Sequence, residues 1–111
     1  MISIVIFRKN QKIVGYRVSG HSGYDEIGKD IVCAAVSSIT QNPLGGMEDV
    51  LGVHPKYIIN DDGYLEVDLK DMDSQGKDKE IDVLLETMAV MIKALKDEYP
   101  KNLKLVEKEV N

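Results

Sequence analysis

Ile81, Leu84, Leu85, Met88, Met91, Ile92, Leu95 and Tyr99 recur in steps of three and four and stop at Pro100, and this run constrains the fold more than any other feature of the chain. Such steps place the side chains on one face of a helix, and proline lacks the N–H that another turn needs. A helix with a single apolar stripe has to bury it against a second layer.

The rest of the chain supplies strands for that layer. Residues 2–7 and 13–18 are β-rich runs on either side of a polar segment, the pattern of a hairpin. Residues 57–59 and 64–69 flank Asp61-Asp62-Gly63, where Asp-Gly provides the positive φ angles of a tight turn. Leu103, Leu105 and Glu107 alternate with Lys104, Val106 and Lys108 in an expected last strand, whose charges suit an edge. From Asp30 onward, Ile31, Val32, Ala34, Ala35, Val36 and Ile39 are too densely apolar for a half-exposed strand and predict a mostly buried helix. Asn42-Pro43-Leu44-Gly45-Gly46 is expected to kink or interrupt that helix, with a further turn or two over residues 47–51. Residues 72–77 read as a mobile loop. The order ββαββαβ predicts an α+β fold, a two-layer sandwich with an antiparallel or mixed sheet and two helices on one face, in one domain over residues 1–111.

Charge narrows the function classes. Nineteen acidic against fourteen basic residues leave a formal charge of −5, so no general field draws the chain to nucleic acid or to an anionic membrane, and basic partners are favoured. The apolar start lacks a basic leader and is broken by Arg8-Lys9-Asn10-Gln11-Lys12, which predicts neither a signal peptide nor a membrane span. Cys33 is the one cysteine, so no internal disulfide forms, and a free thiol points to the cytoplasm.

One block carries chemistry: GHSGYDEIGKDIVC, residues 20–33. Gly23, Gly28 and Lys29 match a phosphate-binding loop, but Asp30 stands where that loop needs a hydroxyl, and a carboxylate there repels phosphate. A metal site needs three or four ligands at suitable spacing, and His21, Cys33 and scattered carboxylates do not form such a set; no cofactor is implied. The thiol reading fits better. With Asp30 as N-cap, Cys33 falls at the third helical position, where the helix dipole favours a thiolate. Asp30 itself opposes that charge, so a cationic neighbour is needed, and His21, leaving a strand end, is the candidate base. His54 competes, but His54-Pro55 opens a strand and suits a turn. Read from spacing alone, the balance lies with Cys33 as a small packed hydrophobe and His21 as a loop residue.

The whole block resembles the ribosomal-processing cysteine protease family called Prp: Gly20-His21, a glycine-bearing loop with Gly28, then Asp30-Ile31-Val32-Cys33-Ala34-Ala35-Val36-Ser37. The downstream order agrees, with Leu51-Gly52, the Gly63 hairpin, a long amphipathic helix and a short last strand. The resemblance implies a cytoplasmic endopeptidase, usually a homodimer, that removes the N-terminal extension of a large-subunit ribosomal protein, with His21 and Cys33 as the catalytic pair. Asp30 and Ser37 match family positions as supporting residues. Asp30 either orients His21 or caps the helix; Ser37, one turn beyond Cys33, bonds either near the site or to the Cys33 carbonyl. First-turn amides are expected to hold the oxyanion, and the loop from Ser22 to Lys29 is a candidate lid. Ser22 stands where the family pattern leads one to expect alanine. Two other functions fit the same residues: a non-catalytic assembly factor that binds the same basic protein, and an acyl transferase that forms a thioester but leaves the peptide uncut.

Overall fold

A computed structural model describes residues 1–26 and 30–111. Five strands and two helices follow one another as β1 (Ile2–Lys9), β2 (Lys12–Ser19), α1 (Ile31–Gly45), β3 (Lys56–Asn60), β4 (Tyr64–Asp68), α2 (Asp78–Glu98) and β5 (Leu103–Glu109). The sheet order is β3-β4-β2-β1-β5. Both hairpins are antiparallel, whereas β5 returns through α2 to lie parallel to β1, so the sheet is mixed. A parallel neighbour requires such a crossover, and the long helix provides it. The expected α+β sandwich is the fold observed.

Alternation decides which sheet face is covered. Ile2, Ile4 and Ile6 of β1, Tyr16 and Val18 of β2, Leu65 and Val67 of β4, and Leu103 of β5 share the buried face. Opposite them, α1 brings Val32, Val36 and Leu44, and α2 brings Ile81, Leu85, Met88, Ala89 and Ile92. Burying this set supplies most of the driving force, at roughly 1.5–3 kcal/mol per large side chain. Met91, expected on the inward stripe, is instead 48% exposed, because Ala89 and Ile92 take the inward positions. Tyr16 pins the two layers: its hydroxyl donates to the Thr40 carbonyl at 2.6 Å, and burial pushes the phenol well above the usual tyrosine range.

Three local expectations are corrected. Pro43 does not interrupt α1, which runs on to Gly45 and widens into a π-helical turn, Gly46–Val50. Pro43, Leu44 and Met47 are all buried, and this packing outweighs the lost proline hydrogen bond; the turn closes through Leu51 N to Gly46 O at 3.0 Å. The β3–β4 loop is three residues long, with only Gly63 at positive φ (79°), rather than a two-residue turn with two such angles. The loop before α2 is anchored: Gln75 Nε2 donates to Gly52 O, and the Lys77 ammonium donates to Leu51 O. Among the described residues no helix is long and apolar enough to cross a membrane.

Candidate active site

The end of β2, the N-terminus of α1 and the β3–β4 turn meet at one end of the sheet. They enclose a pocket of about 250 Å³ lined by His21, Asp30, Cys33 and Ser37, with Gly63 and Asp61 on the opposite wall. All four residues selected from sequence therefore converge, although twelve positions of chain separate His21 from Cys33.

Asp30 is the anchor. It is 7% exposed, and its two oxygens take five donors. One oxygen accepts Val32 N and Cys33 N, each at 3.0 Å, which is the N-cap of α1. The other accepts the Ser22 hydroxyl, Tyr24 N at 3.2 Å and Asp25 N at 3.3 Å. Desolvation pushes this carboxyl up, but the hydrogen bonds from Ser22, Cys33, Asp25 and Tyr24 outweigh it and hold the pKa at about 2. None of the five donors belongs to His21, so of the two roles left open for Asp30 the hydrogen bonds describe the cap. The same carboxylate fills the helix N-terminus where a phosphate would have to bind; Gly28 and Lys29 of that pattern lie outside the described residues.

Ser22 departs from the expected alanine, and its hydroxyl is what ties the loop to Asp30. Asn102 Nδ2 reinforces it by donating to Ser22 O at 3.0 Å, and the Tyr24 ring meets Tyr99 edge-on at 5.5 Å. The described part of the candidate lid is thus held on both sides, and its remainder, residues 27–29, lies outside the described residues. The clasp aims the Ser22 N–H at Cys33 Sγ, 3.3 Å away. An N–H donor on sulfur stabilises negative charge there. The thiol is half-buried and lines the open pocket.

The oxyanion expectation needs correction. Val32 N and Cys33 N are committed to the Asp30 side chain and Ala34 N to the Asp30 carbonyl at 3.1 Å, so these first-turn amides of α1 are occupied. Gly23, with its positive φ of 70°, lies in the pocket wall on the other side, while the Ser22 N–H is given to Cys33 Sγ. A cap and an oxyanion hole draw on the same orphan N–H groups, which is the signal that distinguishes them.

His21 is exposed, and among the described residues its ring makes no hydrogen bond, to Cys33 or to another partner. Gly63 lies close beside it. A Cβ at Gly63 would stand 3.1 Å from Gly20 O and 3.4 Å from His21 Cε1, at a φ that side chains rarely adopt. Gly63→Ala is therefore expected to strain the turn by about 1–3 kcal/mol, and its tight contact with Gly20 O to shift the backbone that carries the imidazole. Turnover should fall by about 10- to 100-fold, with a smaller loss in thermal stability. Kinetics and thermal melts on the same preparation check this, and unchanged turnover would show that the ring position tolerates the turn.

Ser37 is exposed one turn beyond Cys33. His54 is exposed on the approach to β3 and does not line the pocket. Among the described residues no group of three His, Cys, Asp or Glu side chains is placed to hold a metal ion.

A half-buried thiol with an N–H donor on its sulfur shares a pocket with a histidine on a two-layer α+β sandwich, an arrangement compatible with a small cysteine protease. The chain belongs to the cysteine protease Prp family, whose model matches residues 1–104. It is 28% identical over 109 residues to the ribosomal processing cysteine protease Prp of Bacillus subtilis, covering 95% of this chain and 96% of that one. The protein of the same name from Staphylococcus aureus strain Mu50 is 26% identical over 94 residues, covering 85% of this chain and 86% of the relative. Among solved structures, SMU.848 from Streptococcus mutans superposes with a TM-score of 0.82 at 27% identity, covering 99% of this chain and 96% of that chain. The essential ribosomal processing protease Prp from S. aureus, solved with a covalently linked product peptide, shares the fold at a TM-score of 0.85 and 24% identity, covering 97% of this chain and all of that one.

Proposed function

We propose that this protein is a cytoplasmic endopeptidase that removes the N-terminal extension of a large-subunit ribosomal protein, with Cys33 as nucleophile and His21 as general base. The observation that carries the reading is the clasp at the sulfur: a thiol facing an open pocket, with the Ser22 N–H directed at it from the loop that also delivers His21.

In the proposed cycle His21 takes the Cys33 proton as the peptide docks, and the thiolate attacks the scissile carbonyl. The Gly23 amide stabilises the oxyanion, since those of α1 are held by Asp30 and that of Ser22 by the sulfur. Protonated His21 then gives its proton to the leaving amine, and the carbon–nitrogen bond breaks to leave a thioester on Cys33. Water, deprotonated by His21, hydrolyses the thioester and restores the thiol. An open histidine–thiol pair in the unliganded protein is compatible with this, because catalytic hydrogen bonds often tighten only on substrate. Asp30 serves as a positioning residue through Ser22 and α1, and the Ser37 hydroxyl bonds to the bound peptide. The net charge of −5 favours approach of a basic ribosomal protein. The family resemblance extends the reading to a homodimer.

The test incubates wild type and Cys33→Ser with a peptide spanning the ribosomal extension and follows both by mass spectrometry. Cleavage by wild type alone, with a transient acyl adduct on the protein, is the expected result. Binding without cleavage would assign an assembly factor, and an adduct that passes to another acceptor with the peptide uncut would assign an acyl transferase.

A further inference from the structure

The chain is held on either side of Gly23 while the Gly23 N–H is left open. Ser22 gives its hydroxyl to Asp30 and its N–H to Cys33 Sγ. Tyr24 N donates to the Ser22 hydroxyl oxygen at 3.1 Å and to Asp30 at 3.2 Å. Among the described residues the Gly23 N–H has no acceptor, although Gly23 lines the Cys33 pocket. A Cβ at Gly23 would meet nothing within 4 Å, so its positive φ of 70°, rather than close packing, calls for glycine.

That φ is the mark of one peptide plane. Turns of types I and II differ in the orientation of their central peptide, and only type II needs a positive φ at the residue that follows it. Turning the Ser22–Gly23 peptide over would carry the Gly23 N–H to the opposite side of the chain. Glycine tolerates both orientations, so a contact from outside the loop has to choose between them.

Asn102, in the turn between α2 and β5, supplies that contact: its Nδ2 donates to Ser22 O at 3.0 Å. The Ser22 carbonyl and the Gly23 N–H belong to the same peptide unit, and in a trans peptide they lie in one plane and point in opposite directions. Holding the oxygen at Asn102 therefore turns the N–H away from Asn102, which lies outside the pocket that Gly23 lines. The same hydrogen bond polarises the peptide and strengthens its N–H as a donor. Asn102 is itself fixed at both backbone groups, its N–H donating to Tyr99 O at 3.0 Å and its carbonyl accepting Ile2 N at 2.9 Å. Tyr99 adds its edge-on contact with the Tyr24 ring, so the turn meets the loop before and after Gly23.

We infer that Asn102 is a positioning residue of the protease: by holding Ser22 O it sets the Ser22–Gly23 peptide so that the Gly23 N–H serves the oxyanion formed on attack by Cys33. The inference rests on the proposed cleavage reaction and adds to it what orients the donor.

Asn102→Ala and Asn102→Leu test it; leucine keeps a similar branched shape and loses the donor. With the ribosomal-extension peptide both are expected to lower kcat by about 10- to 100-fold and to leave KM within about twofold of wild type, because the donor acts on charge that develops only in the transition state. Lys101→Ala, an exposed position in the same turn, is the control and should change neither constant. Two reagents separate positioning from a loosened loop. A peptide aldehyde accepts the Cys33 sulfur at its carbonyl carbon while the thiol proton passes to the carbonyl oxygen, and this hemithioacetal places its oxygen where the oxyanion forms. Its affinity should fall by about the same factor as kcat. Iodoacetamide alkylates the sulfur with loss of iodide and forms no oxyanion at the attacked carbon, so its rate should match wild type. Wild-type kcat in both Asn102 variants overturns the inference, as does a loss confined to KM. So does a fall in kcat matched by an equal fall in the alkylation rate, which would make Asn102 a structural support of the loop. If wild type cuts no peptide, the cleavage reading fails by itself and the aldehyde decides: affinity that depends on Asn102 upholds the inference, and affinity independent of Asn102, or no adduct, overturns it.

Discussion

Cys33→Ala is expected to abolish cleavage of the ribosomal-extension peptide, with a fall in kcat of at least about 10⁴-fold, while the protein stays folded. The expectation follows from what the sulfur touches. It is half-buried at the pocket wall, and its hydrogen bond comes from the Ser22 amide, whose lost partner a water entering the vacated position from the open pocket would replace. Loss of one small, partly exposed side chain should shift Tm by less than about 5 °C. His21→Ala should act on the same step, because removing the base leaves a thiol in place of a thiolate, and the expected loss is about 10³-fold. The double variant should be no slower than Cys33→Ala, since residues that act as one unit do not add. Initial rates by mass spectrometry, alongside thermal melts, check all three proteins. Full cleavage by Cys33→Ala would make the thiol a packed side chain and end the catalytic reading. Additive losses in the double variant would separate His21 from the sulfur.

The parts of this fold legible in sequence are those set by periodicity and local chemistry. The stripe from Ile81 to Ile92 marks α2 because three and four residue steps have only one structural meaning at that length, and Asp61-Asp62-Gly63 marks the turn because something must supply a positive φ. Asp30 as N-cap was legible for the same reason: a carboxylate three residues ahead of Cys33 has orphan amides within reach. What was not legible depends on tertiary packing. Nothing local says that α1 continues through Pro43, since the cost of proline is outweighed by contacts with residues far along the chain. The approach of Gly63 to the His21 ring joins two hairpins that only the sheet order brings together. The occupied amides of α1 fall between these cases. Capping by Asp30 and oxyanion binding at the first turn compete for the same donors, and the cap, covalently next to them, holds them.

Asp30→Ala should be the most destabilising single change at the site. It removes the acceptor of five donors at once: the α1 cap, the Ser22 hydroxyl, and the Tyr24 and Asp25 amides. A lost cap costs about 0.5–2 kcal/mol, and a buried donor left without a partner about 1–3 kcal/mol more, so roughly 3 kcal/mol is expected, a fall in Tm on the order of 15 °C for a chain of this size. Asp30→Asn separates the two halves of the clasp. Its carbonyl oxygen still caps α1, but its NH₂ group faces the Tyr24 and Asp25 amides donor to donor, so the helix should persist while the loop loosens. Cleavage and Cys33 alkylation should then both change, because the Ser22 N–H no longer stands fixed at the sulfur. The acid dependence has a defined sign. The folded carboxyl titrates at about 2 against an ordinary 3.8, so the stability it contributes is complete above the ordinary value and is lost as pH falls toward the folded one. The difference in stability between wild type and Asp30→Asn should therefore be constant from neutral pH down to about 5 and shrink between about 4 and 2. Denaturant melts of both proteins across that window measure it. A difference that did not narrow on acidification would mean that the charge on Asp30 contributes nothing to the clasp, and that its shape alone holds the loop against the helix.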